Sequence, residues 1–425
     1  MPKAYTLIHP DIDPGRGRTR ELIDELLRSW QGGANEGAGE VSALIDLLTQ
    51  ESLPEIFFRP TAGGPMQRLY QNFLQYLGED EGIRHPLAQR MMKDRNIDSL
   101  PMHAVGAASA TGALWALMTA LGVAGGEVIM SSLNYVGVPN AIMAAGGIPR
   151  FVDVDEKSWC MDPEEVARAI TNETRAIVLT HLNRFVDLAP FYDLTEGAGK
   201  DIPVIQDASL AVGSRQNGLR PGVLNLGRHS ATVFSLAVSK NITGLGGALM
   251  TSHDEGLLHR VATIAHQGVS FSQPSIIEEF GANFKLSALN AVIALENLKR
   301  SEEIFARRKR LKDVYDECLS GLRDRRLITL QDVDDETVLT HYAVLLPERD
   351  RLILPLYERY GITLGLWHAH HMQEIYHAYL GKRISQLPIT ETIAPLLTFL
   401  PFHTRLSEED VKFICSALED SIDKT

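Results

Sequence analysis

The chain has 425 residues, of which 44% are hydrophobic and 22% charged, as in an ordinary soluble globular protein. Its formal charge of -13 argues against a nucleic-acid-binding protein, because neutralising phosphate requires clustered Lys and Arg. Three widely spaced cysteines without a CxxC pair argue against a disulfide framework and favour the reducing cytoplasm. We find no signal peptide and no run near the ~20 apolar residues of a membrane span, so we expect a cytoplasmic protein that binds no membrane.

The first 65 residues differ from the rest of the chain. Apolar spacing predicts helices at 18–30 and 41–48, which a Gly-rich linker joins, and residues 57–65 look irregular. We therefore expect residues 1–65 to form a peripheral, helical N-terminal extension. Helical spacing returns at 66–77, where we place the start of a large domain.

From about Pro101 the pattern alternates between strands and helices. A Gly/Ala-rich turn opens a helix at Ala110, and short apolar runs predict strands at EVIMSS, PRFVDVD, RAIVLTHL, IPVIQDA, TVFSLA and GGALMTS. Continuous apolar strands between helices indicate a parallel sheet covered on both faces. We expect an α/β large domain over 66–300, which ends with a helix at 287–300.

The chain is more charged after residue 301. Helices are predicted at 303–319 and 351–361, a strand at 341–347, and a closing amphipathic helix whose start carries Ser407 and Asp410 as a variant capping box. We expect residues 301–425 to form a smaller C-terminal α+β domain.

Asp207 and Lys240 carry the clearest chemical pattern. Asp207 ends the predicted strand IPVIQDA, and Lys240 follows the next strand, so both emerge at the sheet edge where ligands bind in open α/β folds. Burial lowers the pKa of a lysine and makes its amine nucleophilic. A carboxylate beside the pyridine nitrogen of pyridoxal 5'-phosphate keeps that ring protonated. Singly, each residue is typical of a surface turn; together they predict a pyridoxal-phosphate enzyme with Lys240 as the Schiff-base lysine.

Other residues are candidates for holding this cofactor. Ala110 and Thr111 start a helix, where free N–H groups favour a phosphate, and Ser235 offers a second hydroxyl. Tyr135 follows a predicted strand and is placed to stack on the pyridine. Considered alone, the helix start is more typical of tight packing, and Tyr135 is more typical of a core aromatic with a satisfied hydroxyl.

The order of these motifs resembles the DegT/DnrJ/EryC1/StrS aminotransferases, a group of fold type I pyridoxal-phosphate enzymes acting mainly on keto-sugars. The matching segments are ASATGALWAL, EVIMSSLNYVGVPNAIMAAGGIPRFVDVD, IPVIQDASLAVGS, FSLAVSKNITGLGGALMTS, GANFKLSALNAVIALENL, WHAHHMQEIY and LPFHTRLSEEDVKFICSAL. The resemblance implies a mostly parallel seven-stranded sheet and a homodimer with shared active sites. It also implies that Asn283 reaches the cofactor phosphate of the neighbouring subunit.

Two positions depart from the family pattern. Leu210 replaces a polar residue near the cofactor hydroxyl, and His-Leu-Asn-Arg at 181–184 replaces His-x-Tyr-Gly, so that Arg184 stands where a glycine permits positive φ. Arg184 is a candidate to bind a substrate carboxylate, the alternative being a solvated arginine.

The histidines at 368, 370 and 371 lack the spacing and the acidic or cysteine neighbours of a metal site. We expect no metal, and the resemblance places His371 near the substrate.

Three functions remain open from the sequence. The leading one is an aminotransferase that moves an amino group from an amino-acid donor to a keto-sugar-like or other small carbonyl acceptor. The second keeps the cofactor but makes or breaks bonds at Cα, Cβ or Cγ of an amino acid. The third is a non-catalytic relative that binds the cofactor for regulation.

Overall fold

The computed structural model describes residues 64–78 and 84–424. The predicted helices at 18–30 and 41–48 lie outside the described residues. Across the two described stretches, no helix has the length and apolar character needed to cross a membrane.

Within the described part of the chain, eight strands precede the C-terminal region: β1 (His103–Ala107), β2 (Glu127–Ser131), β3 (Leu133–Asn134), β4 (Ile148–Val152), β5 (Thr174–Thr180), β6 (Val204–Asp207), β7 (Ala231–Ser235) and β8 (Ala248–Ser252). All but β3 form one seven-stranded sheet in the order β1-β8-β7-β6-β5-β2-β4. The pairings from β4 to β7 are parallel, whereas β8 is antiparallel to both of its neighbours. The mostly parallel α/β sheet that was predicted is confirmed.

Helices cover this sheet: α1 (Pro65–Leu77), α2 (Pro86–Arg95), α3 (Ala110–Leu121), α4 (Gly137–Ala144), α5 (Pro163–Ala169), α6 (Ala189–Leu194), α7 (Glu255–Ala265) and α8 (Ala288–Lys299). Neighbouring strand residues belong to different core clusters: Ile177 packs with Leu69 and Phe73 of α1, whereas Val178 packs with Leu117 of α3. Because successive side chains of a strand point to opposite faces, both faces of the sheet are buried.

Strand β1 corrects the sequence analysis, which placed only a turn before Ala110. Its sequence, HAVGA, is rich in small residues and has little of the β-branched and aromatic character that marks a strand. Gly106 explains this composition, because a Cβ added there would lie 2.6 Å from Cδ2 of Leu286. The strand is held instead by its antiparallel pairing with β8 and by the Gly106 N–H, which donates to the Tyr70 hydroxyl at 2.9 Å.

The C-terminal region contains a second sheet of four strands, ordered β11-β13-β10-β9. Its strands and the nearby β12 are β9 (Thr329–Leu330), β10 (Tyr342–Leu345), β11 (Gly365–Leu366), β12 (His368–Ala369) and β13 (Leu397–Leu400). Its helices are α9 (Ser301–Cys318), α10 (Ser320–Asp324), α11 (Arg349–Tyr360), α12 (Glu374–Leu380), α13 (Pro388–Ile393) and α14 (Glu408–Asp423). The predicted capping box of Ser407 and Asp410 is present at the start of α14.

The buried carboxylate of Asp153 connects the main sheet to a helix of the C-terminal region. Asp153, directly after β4, is 3% exposed and accepts hydrogen bonds from the N–H groups of Ile389 and Thr390 at 2.9 and 2.8 Å. The Thr390 hydroxyl donates to the same carboxylate at 2.6 Å. Asp153 thus satisfies the free N–H groups at the start of α13.

We predict that Asp153→Ala lowers the free energy of unfolding by about 2–4 kcal/mol, because buried donors lose a charged acceptor. Urea unfolding followed by far-UV circular dichroism measures the change. The exposed neighbour Glu156 provides a matched control, and Glu156→Ala should stay within about 0.5 kcal/mol of wild type. Equal effects of the two substitutions would contradict this role for Asp153.

Candidate active site

Asp207 and Lys240 lie at the same edge of the main sheet. Asp207 is the last residue of β6, which pairs in parallel with β7. Lys240 follows the end of β7 after a short loop. Since both strands point the same way, both residues emerge at their carboxyl ends, where open α/β sheets bind ligands.

Leu236 holds the loop that carries Lys240. Its carbonyl accepts from the N–H groups of Gly244 and Gly246 at 2.9 and 3.0 Å, and its own N–H donates to the Gly247 carbonyl at 2.9 Å. Gly247 has φ 94°, and a Cβ there would lie 2.5 Å from Cδ1 of Leu286. The glycines after Lys240 therefore allow the chain to fold back tightly and fix the lysine at the strand end.

Burial changes the pKa of both groups. It lowers the pKa of Lys240 to about 8, and the negative charge of Asp207 opposes this shift. Burial raises the pKa of Asp207, which is 5% exposed, while hydrogen bonding from Ser209 and the charge of Lys240 oppose that shift. The Ser209 N–H donates to Oδ1 of Asp207 at 3.0 Å. The site thus combines an amine that loses its proton easily with a fixed buried carboxyl group.

The start of α3 contacts the loop of Lys240. The Gly247 N–H donates to the Ala108 carbonyl at 3.0 Å, and Ser109 forms a bridge with Gly247. Ser109 caps α3, accepting from the Gly112 N–H at 3.0 Å. Ala110 and Thr111, the predicted phosphate ligands, therefore lie in the first turn of a helix directed at this loop.

Thr111 and Tyr135 lie on either side of Gly137. A Cβ at Gly137 would be 2.4 Å from Oγ1 of Thr111 and 3.0 Å from the Tyr135 ring, so the absence of a side chain there lets the two approach each other. Tyr135 is 61% exposed. The alternative in which it is a core aromatic is therefore wrong.

Ser235 and Asn283 occupy different environments. Ser235, the last residue of β7, is buried, and its hydroxyl accepts from the Ala237 N–H at 3.3 Å. Asn283 is exposed and bridges His266 through its backbone. Their proposed contacts with the cofactor stay predictions.

The loop at 181–184 accommodates Arg184 without a positive φ at that residue. Asn183, not Arg184, has the positive φ, at 62°, which suits asparagine better than arginine. Asn183 is fully buried; its Oδ1 accepts from the His341 N–H at 3.1 Å, and its Nδ2 donates to Gln331 at 3.2 Å.

Arg184 is not a freely solvated arginine. Its guanidinium donates to the Asp332 carbonyl at 2.8 Å and lies 3.7 Å from the Asp334 carboxylate. Its binding of a substrate carboxylate stays a prediction. Leu210 is 4% exposed and packs against Leu182 in a core cluster between the two sheets.

Sequence reasoning missed His341. The positive charge of Lys240 acts on its ring, and burial is the main reason that its pKa falls to about 3. Its Nδ1 is buried without a hydrogen-bond partner among the described residues, and its ring lies 4.8 Å from Phe399. The only sequence signal was its place at the start of a predicted strand, which says nothing of its distance from residue 240.

The histidines near 370 contact protein groups. Nδ1 of His371 lies 2.7 Å from Oγ of Ser132 and its Nε2 lies 3.3 Å from Oε1 of Glu391, with the side chain almost fully buried. The predicted substrate contact of His371 stays a prediction. Among the residues that the structure describes, no cluster of three or more His, Cys, Asp or Glu could hold a metal ion.

A doubly covered, mostly parallel sheet with a partly buried lysine and a buried carboxylate at adjacent strand ends defines a pyridoxal-phosphate-dependent enzyme of the aminotransferase class. Residues 101–419 match the DegT/DnrJ/EryC1/StrS aminotransferase family, and the chain belongs to that family. The predicted family, cofactor and enzyme class are confirmed.

Named relatives support the same assignment. The chain is 29% identical over 325 residues to GDP-perosamine synthase of Caulobacter vibrioides and 26% identical over 325 residues to that of Escherichia coli O157:H7; each alignment covers 75% of this chain and 85% of the relative. The crystal structure of NtdA from Bacillus subtilis with bound cofactor PMP has a TM-score of 0.73 at 24% identity, covering 94% of this chain and 84% of that one. This structural likeness shows the shared fold.

We predict that the folded protein loses stability as the pH falls from about 6.5 towards 4. Burial lowers the pKa of His181 and of His370 to about 4 in the folded state, whereas the unfolded value is about 6.5. The unfolded chain therefore binds protons first, and each histidine costs about 1.4 kcal/mol per pH unit in this window. Urea midpoints measured between pH 7.5 and 5 test this, and His181→Gln should flatten the slope. A slope that is the same in both proteins would contradict the prediction.

Proposed function

We propose that this enzyme moves an amino group from an amino-acid donor to a ring ketone or aldehyde of a keto-sugar-like acceptor. The observation that carries the proposal is the amine of Lys240, with a pKa near 8, beside the buried Asp207 at the carboxyl ends of β6 and β7. The names of the two GDP-perosamine synthases support a sugar acceptor, since both relatives align over most of their length.

These residues fit pyridoxal phosphate. When bound, that cofactor supplies an aldehyde for amines and a ring that withdraws electrons from the reacting carbon. Asp207 would hold the proton on the ring nitrogen, because a buried carboxylate that accepts one N–H from Ser209 has capacity left for a second donor. Lys240 would hold the cofactor and then act as the base and acid at the substrate carbon.

The lowered pKa of Lys240 suits this second task. A group whose pKa is near the working pH both accepts and returns a proton readily. Asp207 prevents the pKa from falling further, since its negative charge favours the ammonium form. Asp207 therefore influences the proton affinity of the amine, and the same carboxylate would orient the ring of the cofactor.

The remaining candidates would bind the phosphate and the ring of the cofactor. Ala110 and Thr111 offer N–H groups and a hydroxyl at the start of α3, and Ser235 adds another hydroxyl at the end of β7. The helix start favours an anion such as phosphate. Tyr135 offers its exposed ring to the face of the pyridine.

We predict that Lys240→Ala abolishes cofactor attachment and lowers turnover by at least about 10²–10⁴-fold, because the amine carries the proton transfer. Borohydride reduction followed by peptide mass mapping should place the cofactor on Lys240 of the wild type. The exposed Lys299, which pairs with Glu296, provides the control, and Lys299→Ala should retain both attachment and activity. Attachment to any other lysine would refute the assignment.

Half-reactions separate the leading function from its alternatives. Adding L-glutamate or another amino acid to the holoenzyme should convert bound PLP to PMP, which is seen as a shift of the visible absorbance to shorter wavelength. Loss of a leaving group from the amino acid, without PMP, would instead support bond-making or elimination chemistry. Cofactor binding without a reaction for any amino acid would support a regulatory relative.

We further propose a cytoplasmic homodimer. Apolar side chains are exposed on the Lys240 loop, Val238 by 70% and Leu245 by 49%, and on the segment before Asn283, Ile277 by 72% and Phe280 by 99%. Large exposed apolar side chains favour a protein interface. Because the Lys240 loop carries two of these side chains, a second copy of the chain that covers them would complete the active site, and Asn283 lies in the same segment as Phe280.

We predict that Phe280→Asp converts the dimer to a monomer and weakens PLP retention, because a charge would be buried in the interface. Sedimentation velocity at micromolar concentrations measures the change. Leu354, which is 59% exposed on α11, supplies the control, and Leu354→Asp should remain dimeric. A wild-type protein that sediments as a monomer would contradict the proposal.

A further inference from the structure

The histidine-rich segment 368–371 pairs with, and donates hydrogen bonds to, the loop that carries Tyr135. Strand β12 pairs with β3, so that His368 lies opposite Asn134 and Ala369 opposite Leu133. The His370 N–H then donates to the Ser132 carbonyl at 3.1 Å. The His371 N–H donates to the Ser132 hydroxyl at 2.9 Å. Four consecutive residues of the C-terminal region therefore hold the three residues that precede Tyr135.

The His370 ring adds a hydrogen bond to Asn134, the residue that precedes Tyr135. Its Nε2 lies 3.0 Å from the Asn134 carbonyl, and because a carbonyl only accepts, this nitrogen carries the proton. Burial lowers the pKa of His370 to about 4, so the ring is neutral at neutral pH. Phe151 and Tyr376 pack against it with ring centroids 6.3 and 5.5 Å away.

Asn134 passes this constraint to Tyr135. Its Oδ1 accepts from the Tyr135 N–H at 2.7 Å, and its Nδ2 donates to the Thr180 hydroxyl at 2.8 Å. Asn134 is 2% exposed, so neither bond competes with solvent. The backbone of Tyr135 is therefore fixed by residues from β3 and β5 together with the His370 ring.

His371 fixes the other end of the loop. The Ser132 hydroxyl oxygen already accepts from the His371 N–H, which leaves its proton free for Nδ1 at 2.7 Å. Nε2–H then donates to Glu391, whose Oε1 also accepts from the Leu387 N–H at 3.0 Å. Serine, histidine and glutamate in this order resemble a nucleophilic triad, but Ser132 is fully buried, so no substrate reaches it.

We propose that His370 and His371 are positioning residues that orient Tyr135 against the cofactor ring, and thereby make cofactor binding depend on the placement of the C-terminal region. This inference rests on the proposed function, in which Tyr135 stacks on the pyridine. Tyr135 is 61% exposed, so core packing restrains its ring little and the position of its backbone matters more. The hydrogen bonds described above supply that constraint.

A double-mutant cycle tests the proposal through cofactor affinity. His370→Phe keeps an aromatic ring in the same packing but removes the N–H donor, whereas His370→Gln keeps an N–H donor. We expect His370→Phe to weaken PLP binding to the apoprotein about tenfold, the usual effect of one lost hydrogen bond, and His370→Gln to restore it to within about threefold. In a Tyr135→Ala background, His370→Phe should change the affinity less than about twofold, because coupled residues are not additive.

Calorimetric titration of PLP onto the apoprotein gives the affinities, and visible circular dichroism of the bound cofactor reports the orientation of its ring. His377→Phe, at an exposed histidine of α12, is the control and should leave both unchanged. If His370→Phe unfolds the protein, the same cycle with Ser132→Ala replaces it. Equal losses with and without Tyr135 would overturn the inference, whereas a wild-type protein that takes up no PLP would overturn the proposed function instead.

Discussion

The site depends on placing one lysine and one aspartate where water cannot fully solvate either. The ammonium of Lys240 and the carboxylate of Asp207 each lose solvation at the sheet edge, and each partly restores the charged form of the other. Burial is the larger effect on both, so the amine titrates near pH 8 and the carboxyl pKa rises. An isolated buried charge would be far more costly, so each residue is stabilised by the other, Asp207 at the end of β6 and Lys240 in the loop after β7.

Backbone groups of the surrounding fold hold Lys240 and Asp207 in place. Leu236 closes the loop of Lys240, and Ser209 supplies an N–H to Asp207. The donor in each contact is a backbone N–H, so the ends of β6 and β7 hold the two reacting groups. Glycines also shape the site. At Gly137 and Gly247 the missing Cβ allows a close approach of neighbouring groups that a larger residue would prevent.

The sequence predicted the large-scale order well because local patterns repeat over many residues. The parallel strands have continuous apolar runs, and Asp207 and Lys240 follow two of them, so topology alone brought them to one edge. Strand β1 was missed because Gly106 and its small neighbours carry a packing requirement instead of a strand pattern. His341 was missed because it is 101 residues from Lys240 in the chain, and only the placement of the C-terminal region brings its ring near the charge of Lys240.

The departures at 181–184 show how a changed loop is rebuilt from its new side chains. With arginine at 184, the positive φ of this loop lies at Asn183, the residue better suited to it. Its buried amide then joins His341 and Gln331, while Arg184 reaches Asp332 and Asp334. Two substitutions that look disruptive in the sequence thus produce polar contacts between the large sheet's loop and the C-terminal region. The backbone N–H of His341 donates to Asn183, and the charge of Lys240 acts on the His341 ring. The 181–184 loop therefore links the position of the second sheet to the reacting amine.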